Sequence, residues 1–587
     1  MSEARSGFVP EWAKGIVWYQ IFPERFWRGL EHNDPTLHDQ RNAWPHNLDA
    51  PYQTHPWNSD WYARQPYEQG NGMNLSDTLQ RRRYGGDLQG VLDRLDYLQD
   101  LGVEAIYFNP LFEAPSSHKY DGATYHHIDP NFGPDPDGDR ALIATETPHD
   151  PKTWVWTSAD KLFLRLIEEL HARGMRLIID GVFNHMGLNS WVYNDLVEKQ
   201  RDSAFSDWMK VKKWADETED GSTQIKTWWG FKELPEIMQN RAGITAGPRQ
   251  YIFDITRRWM DPLGNGDLSK GVDGWRLDVA FCVKHPFWKK WRKHVRSINP
   301  EAYLLAEVID APEKQVPYLK GDEFDAVMNY NFAFALSEYF IKDGNDALPS
   351  ELDTKLRVLR EAYPHEVTHV MHNLLGSHDT DRVASRIVNS NLFTMRNWSE
   401  YYERAKMVNP DYKTGRPNDT ARLIQKLMVV FQMTYIGSPG IYYGDEAGMW
   451  GPNDPCNRKP MVWPELKYDV EAVFPNEPGR AAESYGFDHN LHNLHKRLIA
   501  LRKAYPELAK GEYRTFVTDD AYQVFGFERY LGGEITLVMF NTGPKMYESR
   551  HAGYGNAELL FSLNARMLEG GICSMHPGSA VILKKRG

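Results

Sequence analysis

A chain of 587 residues with 41% hydrophobic and 13% aromatic content has material for one large packed domain and a smaller one, more than one simple core requires. Its 68 basic against 80 acidic residues leave a formal charge of −12, and no basic stripe is concentrated anywhere, which speaks against nucleic acid or another polyanion as partner. Three scattered cysteines, Cys282, Cys456 and Cys573, argue against a disulfide framework, and no run of about 18 apolar residues is present to cross a membrane.

Residues 1–10 contain no apolar core of signal-peptide length, so a cytoplasmic protein is expected, although a chain trimmed of its leader would read the same. Short apolar runs then recur at 16–21, 103–108, 175–179, 272–277, 302–306, 326–329, 373–375 and 436–443. Between them lie amphipathic stretches at helical spacing, among them 88–98, 162–170, 287–296 and 423–430. Eight such alternations predict a closed (β/α)8 TIM barrel, whose reactive residues sit at the C-terminal ends of the strands. Two regions break the pattern and read as lids: 27–80, rich in Asn, Asp, Pro, Trp and Tyr, and 186–246, which contains Trp228, Trp229 and Phe231. After a helix at 491–501 the pattern changes to alternating segments at 522–528 and 534–540. The expected division is a barrel over 1–185 and 247–505, an insertion over 186–246 after the third strand, and a C-terminal antiparallel β-sandwich over 506–587.

Four acids end or follow strand-like runs: Asp180, Asp278, Glu307 and Asp379. Any one of them reads equally well as a helix cap. Four at one rim do not, because like charges packed together raise one another's pKa and cost stability, so chemistry is the better reason for them. Asp278 and Glu307 stand 29 residues apart with a helical pattern between them, the spacing of a strand-helix-strand unit whose parallel strands deliver both carboxylates to the same end.

The runs Asp180 to His185 (DGVFNH), Gly274 to Asp278 (GWRLD), Glu307 after Leu-Leu-Ala, and Ser377 to Asp379 (SHD) resemble, in order and spacing, the four sequence blocks of the α-amylase family of glycoside hydrolases. The likeness runs from residues 19–26 through 84–88, 118–121 and 437–446 to the C-terminal β domain. It is greatest toward the neopullulanase, cyclomaltodextrinase and maltogenic amylase group, through 376–382 (GSHDTDR) and 453–461 (NDPCNRKPM).

The resemblance implies that Asp278 is the nucleophile, Glu307 the general acid and then base, and Asp379 the third carboxylate, which holds sugar hydroxyls. Arg276, on the same face of its strand as Asp278, is expected to lower the pKa of that carboxyl, while burial and neighbouring carboxylates keep Glu307 protonated. Retaining glycosidases need their pair about 5–5.5 Å apart, and strands about 4.8 Å apart can supply it, although spacing alone does not exclude an inverting geometry. His185 and His378 are implied as sugar donors at the cleavage site and Tyr120, with His118 beside it, as an aromatic platform; a packing role is the alternative for each. Asp180 is expected to support Arg276 and the rim, either as a purely structural ion pair or with a substrate contact. Asp454 and Arg458 either face substrate or form an ion pair, and Trp228, Trp229 and Phe231 are either subsite rings or a small core of their own.

A calcium site is implied at Asn33, Asp34, Gly85 and Asp87, with Arg28 and Leu30 standing where the group supplies further oxygen ligands. Other departures are the block 234–238 (LPEIM), Phe281 and Cys282 after the nucleophile block, and Val308-Ile309-Asp310 after the acid. The group's N-terminal β domain, which carries its usual dimer contact, has no counterpart before residue 16. The expected activity is hydrolysis of α-1,4 bonds in malto-oligosaccharides, cyclodextrins or related α-glucans. An α-glucosidase or a transglycosylase is the rival within enzymes, and a catalytically silent carbohydrate-binding subunit the rival outside them.

Overall fold

The computed structural model of the chain describes residues 7–342, 347–569 and 571–586. Residues 1–6, on which part of the leader expectation rests, lie outside them.

Eight parallel strands close on one another: β1 (Trp18–Ile21), β2 (Ala105–Phe108), β3 (Arg176–Gly181), β4 (Gly274–Leu277), β5 (Tyr303–Ala306), β6 (Ala326–Val327), β7 (His372–Leu374) and β8 (Ser438–Tyr442). Each of β1 to β5 pairs with the next, β7 pairs with β8, β8 returns to β1, and a parallel bridge from Met328 to His372 joins β6 to β7. These are the eight runs expected from the sequence. Every residue of β1, β2, β4, β5 and β8 is buried, as befits a parallel sheet covered by helices. The run 326–329 is cut to two paired residues because Asn329 turns to cap the next helix, its Oδ1 accepting from the Phe332 N–H.

The helices start where their caps permit. Thr157 and Asp160 form a reciprocal capping box ahead of Ser158–Ala172, and Asn418 caps Asp419–Thr434. The helix His285–Ile298 presses Trp291 against Trp275 of β4, ring centroids 6.2 Å apart; truncating such a ring costs on the order of 3–5 kcal/mol. The single helix expected over 88–98 is two, Leu88–Asp93 and Leu95–Leu101, with non-helical backbone at Arg94. The Arg94 guanidinium sits 4.0 and 4.1 Å from the ring centroids of Trp27 and Trp463, a cation–π sandwich that holds the break.

Register levels the two key carboxylates. Leu277 of β4 pairs with Ala306 of β5, and Asp278 and Glu307 each follow by one residue. The ladder continues past both: the Asp278 N–H donates to Gly181 O and the Glu307 N–H to Leu277 O. Asp180 of β3 pairs with Arg276 of β4 one level below.

The segment between β3 and the helix Ala246–Met260 holds two short antiparallel pairs, 211–213 with 224–225 and 239–240 with 243–244. Its stretch 235–237 bridges back to residues near the barrel mouth, including His185 to Glu236. The loop after β1 reaches across to it: Asn42 Nδ2 donates to Asn189 Oδ1 at 2.7 Å, and His46 pairs with Glu233.

The C-terminal strands β9 (Glu512–Asp519), β10 (Val524–Leu531), β11 (Glu534–Asn541), β12 (Tyr547–Ser549), β13 (Glu558–Leu568) and β14 (Ile572–Lys584) form one antiparallel sheet. One face joins the barrel core, Phe525, Phe527 and Phe540 packing on Phe431; the other closes on Leu537, Met539, Cys573, Met575 and Leu583. Among the described residues no helix is long and apolar enough to cross a membrane.

Candidate active site

One guanidinium organises the site. Arg276 is fully buried, and its Nη1 donates to both Asp180 oxygens at 3.0 and 2.9 Å and to Asp278 Oδ1 at 2.9 Å. Its Nη2 lies 2.8 Å from Glu307 Oε1, an ion pair without an aligned hydrogen bond. Three carboxylates from three adjacent strands thus share one fork, whose fixed plane a lysine does not offer. Tyr107 of β2 adds a hydrogen bond from its hydroxyl to Asp180 Oδ2 at 2.8 Å.

Asp278 and Glu307 are only 7% and 5% exposed. Burial pushes the Asp278 carboxyl well above its ordinary range; Arg276 opposes this, while Glu307, Asp180 and Asp379 add to it. Arg276 acts in the expected direction, but the net shift is upward, contrary to expectation, because burial outweighs one shared cation. Val279, directly after Asp278, adopts left-handed backbone at φ 38°, a strained state for a β-branched residue that costs on the order of 1–3 kcal/mol. That turn aims its N–H at Glu307 Oε2, 2.9 Å away, so the strain fixes the carboxyl of one strand with the backbone of the next.

Asp379 completes the set from the far side. Its carboxyl is pushed up to about 7 by burial and then by Glu307, against the pull of Arg458 and Arg276. Arg458 is buried and stands 2.8 Å from Asp454 Oδ1 and 3.6 Å from Asp379 Oδ1, so it links the loop after β8 to the third carboxylate instead of forming an exposed pair. Its Nε and Nη2 also hold the His378 carbonyl, at 3.1 and 3.0 Å.

Both histidines have both ring nitrogens engaged within the protein. The Gln20 amide donates to His378 Nδ1 at 2.9 Å, which puts the proton on Nε2, 2.6 Å from the Tyr120 hydroxyl and 3.2 Å from Asp379 Oδ2. Burial, Arg458 and Arg276 hold His378 well below the usual range, so it is a neutral donor. His185 spends its N–H on the Tyr120 carbonyl at 3.1 Å, with Nδ1 3.1 Å from Asn184 Nδ2, and burial lowers it to about 4. Its nitrogens are thus engaged within the protein. The Tyr120 ring stacks on His378, centroids 5.4 Å apart at 10°, and on His118 at 5.9 Å.

Beyond His185 runs a file of rings: Trp228 stacks on it at 5.7 Å, Trp229 on Trp228 at 4.8 Å, and Phe281 lies 6.5 Å further. Trp229 is 70% and Phe231 50% exposed, which is no core; the file joins His185 to Phe281, three residues after Asp278, through the insertion. Gln20, Tyr107, Asn109, whose Nδ2 donates to the Tyr120 hydroxyl at 3.1 Å, and Val279 are not singled out by the sequence. Their place on inward-facing strand positions and strand ends is the signal that could have found the first three; nothing in the sequence marks Val279.

The residues implied for calcium are gathered differently from a calcium cage. Asp87 spends both oxygens on the N–H groups of Gly29, Leu30 and Gly90 and on Asn33 Nδ2. Arg28 Nη2 lies 2.6 Å from Asp34 Oδ2, and Gly85 gives way to Asp34, whose Oδ1 stands 2.3 Å from where a Cβ would be. Of the side-chain oxygens of Asn33, Asp34 and Asp87, Asn33 Oδ1 and Asp34 Oδ1 are buried without partners. Calcium takes six to eight oxygens, so the donors present do not fit it, and the guanidinium supplies the positive charge. Among the described residues two further groups could hold a metal ion, His126 with His127 and Glu146, and His365 with His369 and Glu512.

Residues 20–147 and 158–409 match the family described as Alpha-amylase, catalytic domain. A cyclomaltodextrinase of Geobacillus thermopakistaniensis is 32% identical over 542 residues, which is 92% of this chain and 71% of that protein. An intracellular maltogenic amylase of Bacillus subtilis is 33% identical over 544 residues, with the same shares of the two chains. Among solved structures, the cyclic α-maltosyl-(1→6)-maltose hydrolase of Arthrobacter globiformis superposes with a TM-score of 0.70 at 26% identity, covering 98% of this chain and all of that one.

Proposed function

The chain belongs to the α-amylase family of glycoside hydrolases, and from that premise we propose that it cleaves α-1,4-glucosidic bonds of short or cyclic α-glucans through a covalent intermediate on Asp278. The observation that carries this reading is the single fork of Arg276 holding Asp180, Asp278 and Glu307 at one rim. In the reaction, Asp278 attacks the anomeric carbon and Glu307 gives its proton to the departing oxygen. Water then enters, returns a proton to Glu307 and releases the sugar with its configuration retained. Arg276 favours the ionised form of the attacking oxygen against the burial that raises its carboxyl, and Asp379 takes sugar hydroxyls together with the His378 N–H, which exchanges the Tyr120 hydroxyl for a sugar oxygen. Tyr120 supplies the ring face under the cleaved sugar.

The preference for compact substrates is supported by the contacts of Asn42 and His46 with the insertion, which tie residues 186–246 to the loop after β1. It is also supported by the names of the relatives, a cyclomaltodextrinase and a hydrolase of a cyclic maltosyl-maltose. The intracellular relative supports a cytoplasmic setting. The test is chromatography of products from maltotriose, β-cyclodextrin, pullulan, starch and cyclic maltosyl-maltose. Faster opening of the cyclic substrates than of starch is expected; glucose released only from chain ends, or transfer products without net hydrolysis, would replace the reading with an α-glucosidase or a transglycosylase.

A further inference from the structure

On the far side of the barrel from the carboxylates, at the joint with the C-terminal sheet, three side chains converge for which the reaction has no use. His365 opens the short helix His365–Thr368 and His369 follows its end, so a spacing of four places both rings on one side, centroids 5.1 Å apart. Glu512, the first residue of β9, reaches between them: its Oε2 lies 2.9 Å from His365 Nε2 and its Oε1 3.6 Å from His369 Nε2. One donor atom from each of the three residues lies within 4.8 Å of the other two, against about 3.4 Å between atoms bound tetrahedrally at about 2.0–2.2 Å, so small rotations of the side chains close the site.

We propose that His365, His369 and Glu512 bind one divalent transition ion of the zinc class, clamping the barrel to the C-terminal domain. Two imidazoles and a carboxylate are the donor set such an ion takes, and imidazole disfavours calcium or magnesium. The side chain of His365 is 72% exposed and that of Glu512 40%, which leaves a path for the ion and room for water as the fourth ligand. The nearby cations are engaged elsewhere: Lys14 lies 2.6 Å from Glu11, and Arg529 is buried in the carbonyls of Thr434, Leu508 and Gly511. The other cluster differs. His126 and His127 are sealed from solvent, and their second nitrogens are bonded to Thr124, Tyr251 and Asp160, with Arg258 on Asp160 as counter-charge. It reads as a buried ion-pair network.

The experiment uses the full chain, stripped with a chelator and titrated near pH 7.5 with Zn2+ by calorimetry and with Co2+ by its visible absorption. One equivalent should bind and raise the thermal midpoint by a few degrees, and binding should weaken roughly ten-fold or more in His365→Gln and in Glu512→Gln. Both positions are exposed enough to leave the fold intact, which unchanged midpoints of the stripped variants would verify. No saturable binding to the stripped wild-type chain would overturn the proposal. So would equal affinity in the two variants, or binding that His127→Gln alone removes.

Discussion

Replacing Asp379 by Asn should make the protein more stable, and by an amount that depends on pH. The Asp379 carboxyl has an ordinary value of 3.8 and is pushed to about 7 in the folded chain, chiefly by burial. A raised acid is easier to ionise once unfolded, so it costs nothing below pH 3.8, where both states are protonated. The cost grows as pH rises and levels off above about 7. At about 1.4 kcal/mol per pH unit, the rise from 3.8 to about 7 amounts to about 4 kcal/mol at pH 8 and less than half of that at pH 5. Neighbouring carboxyls share the protons, so the value at pH 8 is an upper limit and on the order of 2–4 kcal/mol is expected. Asn keeps the shape and can still meet Arg458 with its carbonyl oxygen. The assay is thermal or urea unfolding of both proteins at pH 4, 5, 6.5 and 8. The variant should gain at every pH above 4, with the gain rising toward pH 8, while its turnover collapses. A variant less stable than wild type at pH 8, or a gain that shrinks as pH rises, would refute the claim that this site is held together against its own charge.

Arg276→Met should destabilise the chain by about 3–5 kcal/mol at pH 8, because three buried carboxyls lose their common cation, and by less at pH 5, where they can take up protons; urea unfolding at both pH values checks it. Trp229→Ala should raise KM for maltotriose roughly five- to ten-fold, the value of about 1 kcal/mol of ring contact, with kcat and the thermal midpoint nearly unchanged because the side chain is 70% exposed. Added Ca2+ should leave the midpoint of the chelator-treated enzyme where it was, and Arg28→Ser should create a calcium response by freeing Asp34; a shift in wild type would show that the guanidinium has not taken the ion's place.

What could be read from the chain followed from periodicity and from the oddness of acids at strand ends. Eight apolar runs are eight strands because a barrel strand buried on both faces leaves a continuous apolar signature, and the equal setting of Asp278 and Glu307 follows from one helix joining two neighbours. The sign of the Asp278 shift was not legible: a motif records which charges are near and says little about how much water is gone. Backbone states hide as well. Nothing in Leu-Asp-Val marks Val279 as left-handed, and the break at Arg94 is set by two tryptophans far along the chain. Gln20 looks like one more strand residue until its amide is seen fixing the tautomer of His378. Glu512 lies 147 residues from His365, so no local pattern could join them.

The most direct test of the central claim is mass spectrometry of Glu307→Gln after reaction with α-maltosyl fluoride. Fluoride leaves without a proton donor, and without a base the second step stalls, so one maltosyl group should accumulate on the peptide that contains Asp278. A sugar found on any other residue, or steady hydrolysis of the fluoride to the inverted anomer with no adduct at all, would contradict it.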